Sequence, residues 1–489
     1  MIKTKRPKLE FLSPELIEKI MGEAYHVLEK KGVFVENKEA LSLLREAGMK
    51  VDEDRQRVHI TPQLVEDSLS STPSMVKLFD RTGEKEFTVG EDQVHFDPGS
   101  AATTILDPET LKQRKATTED LVSFYRITES LEHIHFQSTG LISSDVSDLI
   151  SDCYRLYLGL LFSTKPVVTG TFRVEGFKPM RDMLTAVRGG AEALAAKPLA
   201  IFDACPSPPL KWSNLTAQSL IDCARAGIPS ELISMGMTGA TSPVTITGTL
   251  VQHVVENLSG LVICQLAEKG APVIFGGSPS SFDMRKGTTP MGAIETIMID
   301  SAYAQIGKYL HLPTHAYMGL SDAKIIDAQA GFETGHGALL AALSGINVVS
   351  GPGMLNFESC QSLEKLVVDN EICGMASRVI EGISQRDDPL AEDLLLGLEE
   401  DAQFLSLPHT KKWYRKEHTF PHIVDRDTYD YWVSLGEKSI FQRASEQVKK
   451  VLKENPPLLP DEPLQKELRN IMMAAARENG ISSLPEMKP

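Results

Sequence analysis

The chain has 489 residues, a formal net charge of −16, 42% hydrophobic and 24% charged residues. That length accommodates one large barrel with extensions or two to three ordinary domains, and the composition is that of a soluble globular protein. The basic residues are dispersed apart from "TKKWYRKEH" at Thr410 to His418, where acidic and aromatic residues interleave; no nucleic-acid partner is expected, because displacing phosphate counterions needs a positive stripe.

The start, "MIKTKRPKLEFLSPELIEKI", lacks an apolar core and a small-residue cleavage site, so it does not read as a secretory signal, and a cytoplasmic location is expected. No apolar run is read as reaching the roughly 20 residues that cross a bilayer, so no membrane is expected. Residues 1–92 are predicted as an N-terminal helical extension with short strands. Its first helix is capped by Ser13, begins at Pro14 and stops at Gly32.

From residue 93 the pattern changes to short apolar runs, each followed by a helical stretch. They are "QVHFDPGS", "HIHFQSTG", "PVVTGTF", "PLAIFDACP", "ELISMGMTGA", "PVIFGGSPS", "PTHAYMGLS" and "NVVSGPGML", recurring about every 30 to 40 residues. Eight such units predict an α/β fold, a (β/α)8 TIM-type barrel over 93–390, with an open doubly wound sheet as the alternative. Residues 391–489 are charged and helical again, a C-terminal helical extension interrupted by "ENPPLLPDEPLQ". Six scattered cysteines predict reduced, buried thiols, and no His or Cys grouping has the spacing of a metal site, so no metal is expected.

In such a barrel the site lies at the carboxyl ends of the strands. Seven of the eight ends contain Gly, which lets backbone approach a ligand closely. Few groups suited to acid–base work are read there, and no phosphate loop, nucleophile elbow or dinucleotide fingerprint is present. Aromatic residues stand near the ends instead: Phe96, Phe172, Tyr317, Phe332 and Phe357. Together they suit a methylammonium cation.

The most ionisable stretch is "SDAKIIDAQAGFETGHG", Ser321 to Gly337. Continued as one helix, it puts Asp322, Ile326, Gln329, Glu333, His336 and Leu340 on one face. A solvated face with local ion pairs, Lys324 with Asp327 among them, is the competing reading.

This stretch also carries a resemblance. The run "GLSDAKIIDAQAGFETGHGALLAALSGINVVSGPGMLNFES", together with "DPETLKQRKATTEDL" and "LPHTKKWYRKEHTFPHIVDRDTYDYW", resembles the trimethylamine methyltransferase family over nearly the whole chain. The resemblance implies a (β/α)8 barrel that demethylates amines using a corrinoid protein. The founding enzymes contain pyrrolysine in the barrel, whereas every position here is a standard residue; the position it would occupy is expected between Ala328 and His336. The chain thereby resembles the branch acting on quaternary amines such as glycine betaine, proline betaine or carnitine. The expected partners are a small quaternary-amine substrate and a separate corrinoid protein, whose Co(I) cobalamin takes the methyl group; no tightly bound cofactor is expected in this chain, which lacks D-x-H-x-x-G, and a homo-oligomer is expected. Within this reading Glu333 and His336 are the catalytic candidates. Phe96, Phe172, Arg173, Tyr317, Asp322, Gln329, Phe332 and Phe357 are the substrate-binding ones, Arg173 or His336 serving a substrate carboxylate. The cage is expected to be mainly aromatic, with acids behind it. A barrel that binds without catalysis, and a tertiary-amine methyltransferase, are the alternatives.

Overall fold

The structure is a computed structural model that describes residues 4–400 and 402–485. Eight short parallel strands follow one another around a closed barrel: β1 (His95–Asp97), β2 (Gln137–Ser138), β3 (Val167–Thr169), β4 (Ala200–Ala204), β5 (Ser230–Ser234), β6 (Val273–Gly277), β7 (His315–Tyr317) and β8 (Val348–Ser350). Strands β2 to β6 pair in order as one sheet, and β7, β8 and β1 as another. The seams close through a parallel bridge between Phe275 and Thr314 and a 2.7 Å bond from the His135 amide to the Phe96 carbonyl. An open sheet is thereby excluded.

Each strand is followed by a helix on the outside: α1 (Thr118–Ser130), α2 (Ser151–Phe162), α3 (Phe177–Arg188), α4 (Asn214–Ala226), α5 (Ile246–Ala267), α6 (Ile294–Tyr309), α7 (Ala328–Ser344) and α8 (Leu363–Ile380). Local chemistry sets their ends. Thr117 and Asp120 form a capping box at α1, and Ser213 caps α4, which stops at Gly227 with φ 66°. Helix α5 has 22 residues and is apolar enough to meet the length and composition of a membrane span, contrary to the sequence reading. It is a mostly buried core helix, packed between α4, α6 and the N-terminal helices Pro14–Lys30 and Pro62–Ser71, and its few polar groups, such as Glu256 and Asn257, are buried with it.

The N-terminal segment does more than lie against the outside. The hairpin Met75–Phe79 and Glu86–Gly90 closes the amino end of the barrel. Its Val76, Leu78, Phe87 and Val89 pack on the inward-facing Phe136, Val168, Ile201, Ile274 and Val348 as one apolar floor. Burying each such side chain contributes roughly 1.5–3 kcal/mol, so the lower barrel is sealed by hydrophobic contact. At the other end of the chain, helix Ile440–Glu454 packs on α8 and α1, and helix Glu462–Glu478 on α2 and α3.

Candidate active site in the upper barrel

Side chains alternate along a strand, so the residues two steps beyond the apolar floor face the same interior nearer the mouth. Here they are polar. Asp97 of β1, Asp203 of β4, Glu231 of β5, His315 and Tyr317 of β7 and Ser350 of β8 converge. Ser350 Oγ donates to Asp97 Oδ1 at 2.8 Å, His315 Nε2 lies 3.0 Å from the same Oγ, and His315 Nδ1 lies 3.5 Å from Glu231 Oε1. Asp203 and Glu231 are register partners on adjacent strands. A polar chain thus runs across the barrel where interiors of this fold usually hold branched aliphatic residues.

Two further groups enter from outside the strands. Arg155 of α2 is buried, donates Nη1 to the Thr139 carbonyl at 2.6 Å and stacks 4.3 Å from the Phe172 ring centroid. Glu358 comes from the loop after β8, where Asn356, Phe357 and Glu358 have φ of 52°, 56° and 64°. Non-glycine residues in this left-handed region cost about 1–2 kcal/mol each. The turn is held by the short ladder of Met354–Leu355 with Cys360–Gln361 and by the Asn356 amide on the Ala323 carbonyl at 2.9 Å. Strain stored at a site and balanced by its surroundings is a functional signature.

The electrostatics are lopsided. Burial pushes the carboxyls of Asp97, Glu231 and Glu358 well above the usual range, and the Asp203 charge raises all three further. Asp203 is itself raised, by burial first. Burial also depresses His315 to about 3, so its ring is neutral, and Tyr317 keeps its proton for the same reason, reinforced by the acids around it. Among the described residues, the buried atoms Asp97 Oδ2, His315 Nδ1, and Arg155 Nε and Nη2 have no hydrogen-bond partner, and no donor reaches Asp203 Oδ1 or either Glu231 carboxyl oxygen, which can bond only to each other through a shared proton. Buried polar groups normally find partners. So many without donors at one level of the barrel are groups that a polar or charged ligand would satisfy.

The residues singled out from sequence fall in several places. Tyr317 stands among these acids. Phe172 stands at the mouth, over Arg155. Phe96 does not face the site: His95 packs on the floor rings and Asp97 faces inward, so the intervening Phe96 points out to the helices and joins the main core. Arg173 is not free to grip a carboxylate, since Nη1 donates to the Leu149 carbonyl and to Asn479 Oδ1, at 2.9 and 2.8 Å. Phe357 is covered by Lys324, whose Nζ lies 3.9 Å from the ring centroid. Lys324 therefore does not pair with Asp327, which instead caps α7 by accepting from the Gln329 and Ala330 amides.

Helix α7 begins only at Ala328, so Asp322 and Ile326 precede it and the single polar face is not formed. Its buried side carries Ala330, Glu333, Thr334 and Gly337, while Gln329, Phe332 and His336 are exposed on the outside of the barrel. The His336 ring lies 6.1 Å from that of Phe332. Glu333 and Asp322 act instead as a clamp on the rim. Glu333 Oε2 accepts from Ser321 Oγ at 2.6 Å and the Asp322 amide at 2.8 Å, and Oε1 from Gln329 Nε2 at 2.9 Å. Asp322 accepts from the amides of Met291 and Gly292 at 3.0 and 2.9 Å. These bonds tie the loop after β6 to the loop after β7. The aromatic cage is likewise replaced by a carboxyl-rich chamber, and the reading of few acid–base groups by several.

Sequence reasoning missed Asp97, Arg155, Asp203, Glu231, His315 and Glu358. A signal existed for most: an ionisable residue at an inward position of an apolar strand, as in "HFD", "AIFDA", "SELIS" and "HAY", or Arg155 alone in "CYRLYLGLLF".

The comparisons with known proteins match this architecture. The family profile described as trimethylamine methyltransferase (MTTB) matches residues 1–480. The chain belongs to the trimethylamine methyltransferase family. Among its relatives in the family, a trimethylamine methyltransferase of Desulfitobacterium hafniense is 33% identical over 96% of this chain and 95% of its own length. A glycine betaine methyltransferase of the same species is 29% identical over 87% and 89%. The crystal structure of the Methanosarcina barkeri monomethylamine methyltransferase superposes with a TM-score of 0.50 at 12% identity, covering 97% of this chain and 93% of that one, and so shares the barrel fold. The chain is a methyltransferase of this family, and its polar chamber occupies the end of the barrel where sites of this fold lie.

Proposed function

We propose that the chain transfers a methyl group from a quaternary ammonium of the betaine class to the Co(I) corrinoid of a partner protein, the two meeting at the barrel mouth. The observation that carries the reading is the pairing of open carboxyls with one open guanidinium. The acids Asp97, Asp203, Glu231 and Glu358 suit an ammonium, and the unspent Nε and Nη2 of Arg155 suit a carboxylate, which an Arg fork binds well. The glycine betaine methyltransferase relative supports the substrate class. So does the absence of pyrrolysine from this sequence.

The chemistry agrees with the charges. The C–N electron pair stays on nitrogen as the methyl group leaves, so a quaternary substrate departs as a neutral tertiary amine. Because its positive charge vanishes in the transition state, a fully ionised cage would hold the ground state too firmly. A cage in which most carboxyls keep their protons presents dipoles beside at most one negative charge and so moderates that attraction. Around the mouth Met235, Val244 and Met284 are exposed apolar side chains, a surface suited to docking a partner rather than to water.

A tertiary amine is the second reading. Protonated carboxyls inside the barrel offer a proton to a departing amine, and the 33% relative is a trimethylamine methyltransferase. The test is methylation of Co(I) cobalamin by glycine betaine, carnitine and proline betaine against their tertiary analogues and trimethylamine. Turnover of a quaternary member with none from its tertiary counterpart is expected. Equal rates would favour the second reading, and no rate with any of them a barrel that binds without catalysis.

A further inference from the structure

We propose that the upper barrel is a cation-for-proton exchange site: a quaternary ammonium entering beside Asp203 and Glu231 drives a proton off that pair and out to solvent. This rests on reading the chamber as the ammonium site, and adds what binding does to it. The geometry leads there in three steps.

First, the carboxyls outnumber the cations. From β1 comes Asp97, from β4 Asp203 with the Cys205 thiol just beyond it, from β5 Glu231, and from β7 Tyr317 and the neutral His315. The loop after β8 adds Glu358, and α6 places Tyr303 close enough to feel Glu231. Against them stands one permanent cation, Arg155 of α2, which Asp152 partly compensates. Neighbouring carboxyls in a water-poor interior cannot all ionise without a compensating charge.

Second, the acids have no outside donors. Glu231 is fully buried, and its carboxyl and that of Asp203 lie within hydrogen-bonding reach of each other, so the bond they make is a proton shared across the pair, while Asp97 Oδ2 is unpartnered among the described residues. An independent group points to the same space: Arg155 is 1% exposed, with Nε and Nη2 unbonded. A chamber built only for neutral contents would satisfy these groups internally.

Third, the proton has an exit. Asp203 is the register partner of Glu231 and, unlike it, is partly exposed as a residue, although its Oδ1 is buried, so the route of the pair's proton to solvent runs past Asp203. The raised affinity of Asp203 and Glu231 for protons, caused first by burial, agrees with this order of events. The balance is simple: one unit of positive charge enters with the ammonium and one leaves as a proton taken up by solvent or buffer.

The consequence is a pH-dependent affinity for a ligand that itself never titrates. Binding that releases one full proton tightens about tenfold per pH unit. The probe is tetramethylammonium chloride, titrated into the full chain by calorimetry in phosphate and in Tris at one pH, then at pH 6, 7 and 8. Expected are a heat that differs between the two buffers by the amount corresponding to between half a proton and one proton released, and a Kd at least threefold lower at pH 8 than at pH 6. Asp203→Asn and Glu231→Gln should each reduce the release. The wild-type titration decides the matter even if a variant fails to fold. Binding with equal heats in both buffers and a flat Kd overturns the exchange while leaving the ammonium site standing. No binding of tetramethylammonium, glycine betaine or trimethylammonium at any pH overturns both.

Discussion

Three glycines on α7, Gly331, Gly335 and Gly337, make a test of what holds the rim in place. A methyl group added at Gly337 would sit 1.8 Å from the Met318 carbonyl oxygen and 2.9 Å from its carbon, whereas one at Gly331 or Gly335 meets nothing within 4 Å. Ordinary van der Waals contact would require α7 to withdraw from the end of β7 by about 1.5 Å. That movement would stretch the bonds from Ser321 and the Asp322 amide to Glu333, now 2.6 and 2.8 Å. Overpacking costs roughly 1–3 kcal/mol and each weakened bond about 1 kcal/mol, so Gly337→Ala should destabilise by about 2–5 kcal/mol. Gly331→Ala and Gly335→Ala relieve only the glycine's own entropy penalty and should each stabilise by roughly 0.5–1 kcal/mol. Urea unfolding followed by tryptophan fluorescence reads the order, and methyl transfer measured alongside should fall in Gly337→Ala alone. A Gly337→Ala midpoint at or above that of wild type would show that close approach of α7 to Met318 is not what positions this rim.

Glu333→Ala strands three donors of the clamp and should cost roughly 1–3 kcal/mol together with activity, while the exposed His336→Ala should leave the unfolding midpoint and the turnover unchanged; thermal melts and cobalamin methylation separate the two. Lys365 and Asp369 are a buried ion pair on α8, also bonded to Thr334 and the Gly353 amide. Lys365→Met should therefore cost about 3–5 kcal/mol in urea unfolding, and adding Asp369→Leu should recover most of it. Burial pushes Asp322 up to about 6. A raised carboxyl favours the folded state below its unfolded value near 4, and that contribution is lost as pH rises through about 6. Relative to wild type, Asp322→Asn should gain on the order of 2 kcal/mol between pH 4 and pH 8, and parallel stability–pH curves for the two proteins would refute it.

Much of the fold is legible along the chain because its causes are local. Each apolar run followed by a helical stretch became one strand and one helix; Ser13 caps its helix by accepting from the Leu16 amide, Pro14 takes the first helical position, and Gly227 ends α4. The helical periodicity of "DAQAGFETGHG" was likewise present in sequence, but its start was not. Asp327 takes the cap, so Asp322 is released to bind the neighbouring loop, and the supposed single face divides into the buried Glu333 and the exposed His336.

The site is another matter. Asp97, Arg155, Asp203, Glu231, His315 and Glu358 come from five strands or loops and one outer helix, and although most stand out as ionisable residues in apolar surroundings, nothing along the chain says that they meet. What the sequence determined was an acidic α/β chain with eight repeated units, most of whose strand ends carry glycine. What only the tertiary structure decided was which side of each strand faces inward and which residues then meet. Side-chain direction reverses with every residue along a strand, and the pairings that close the barrel choose between the two faces, so Asp97 meets Ser350 while Phe96, one residue away, joins the outer core.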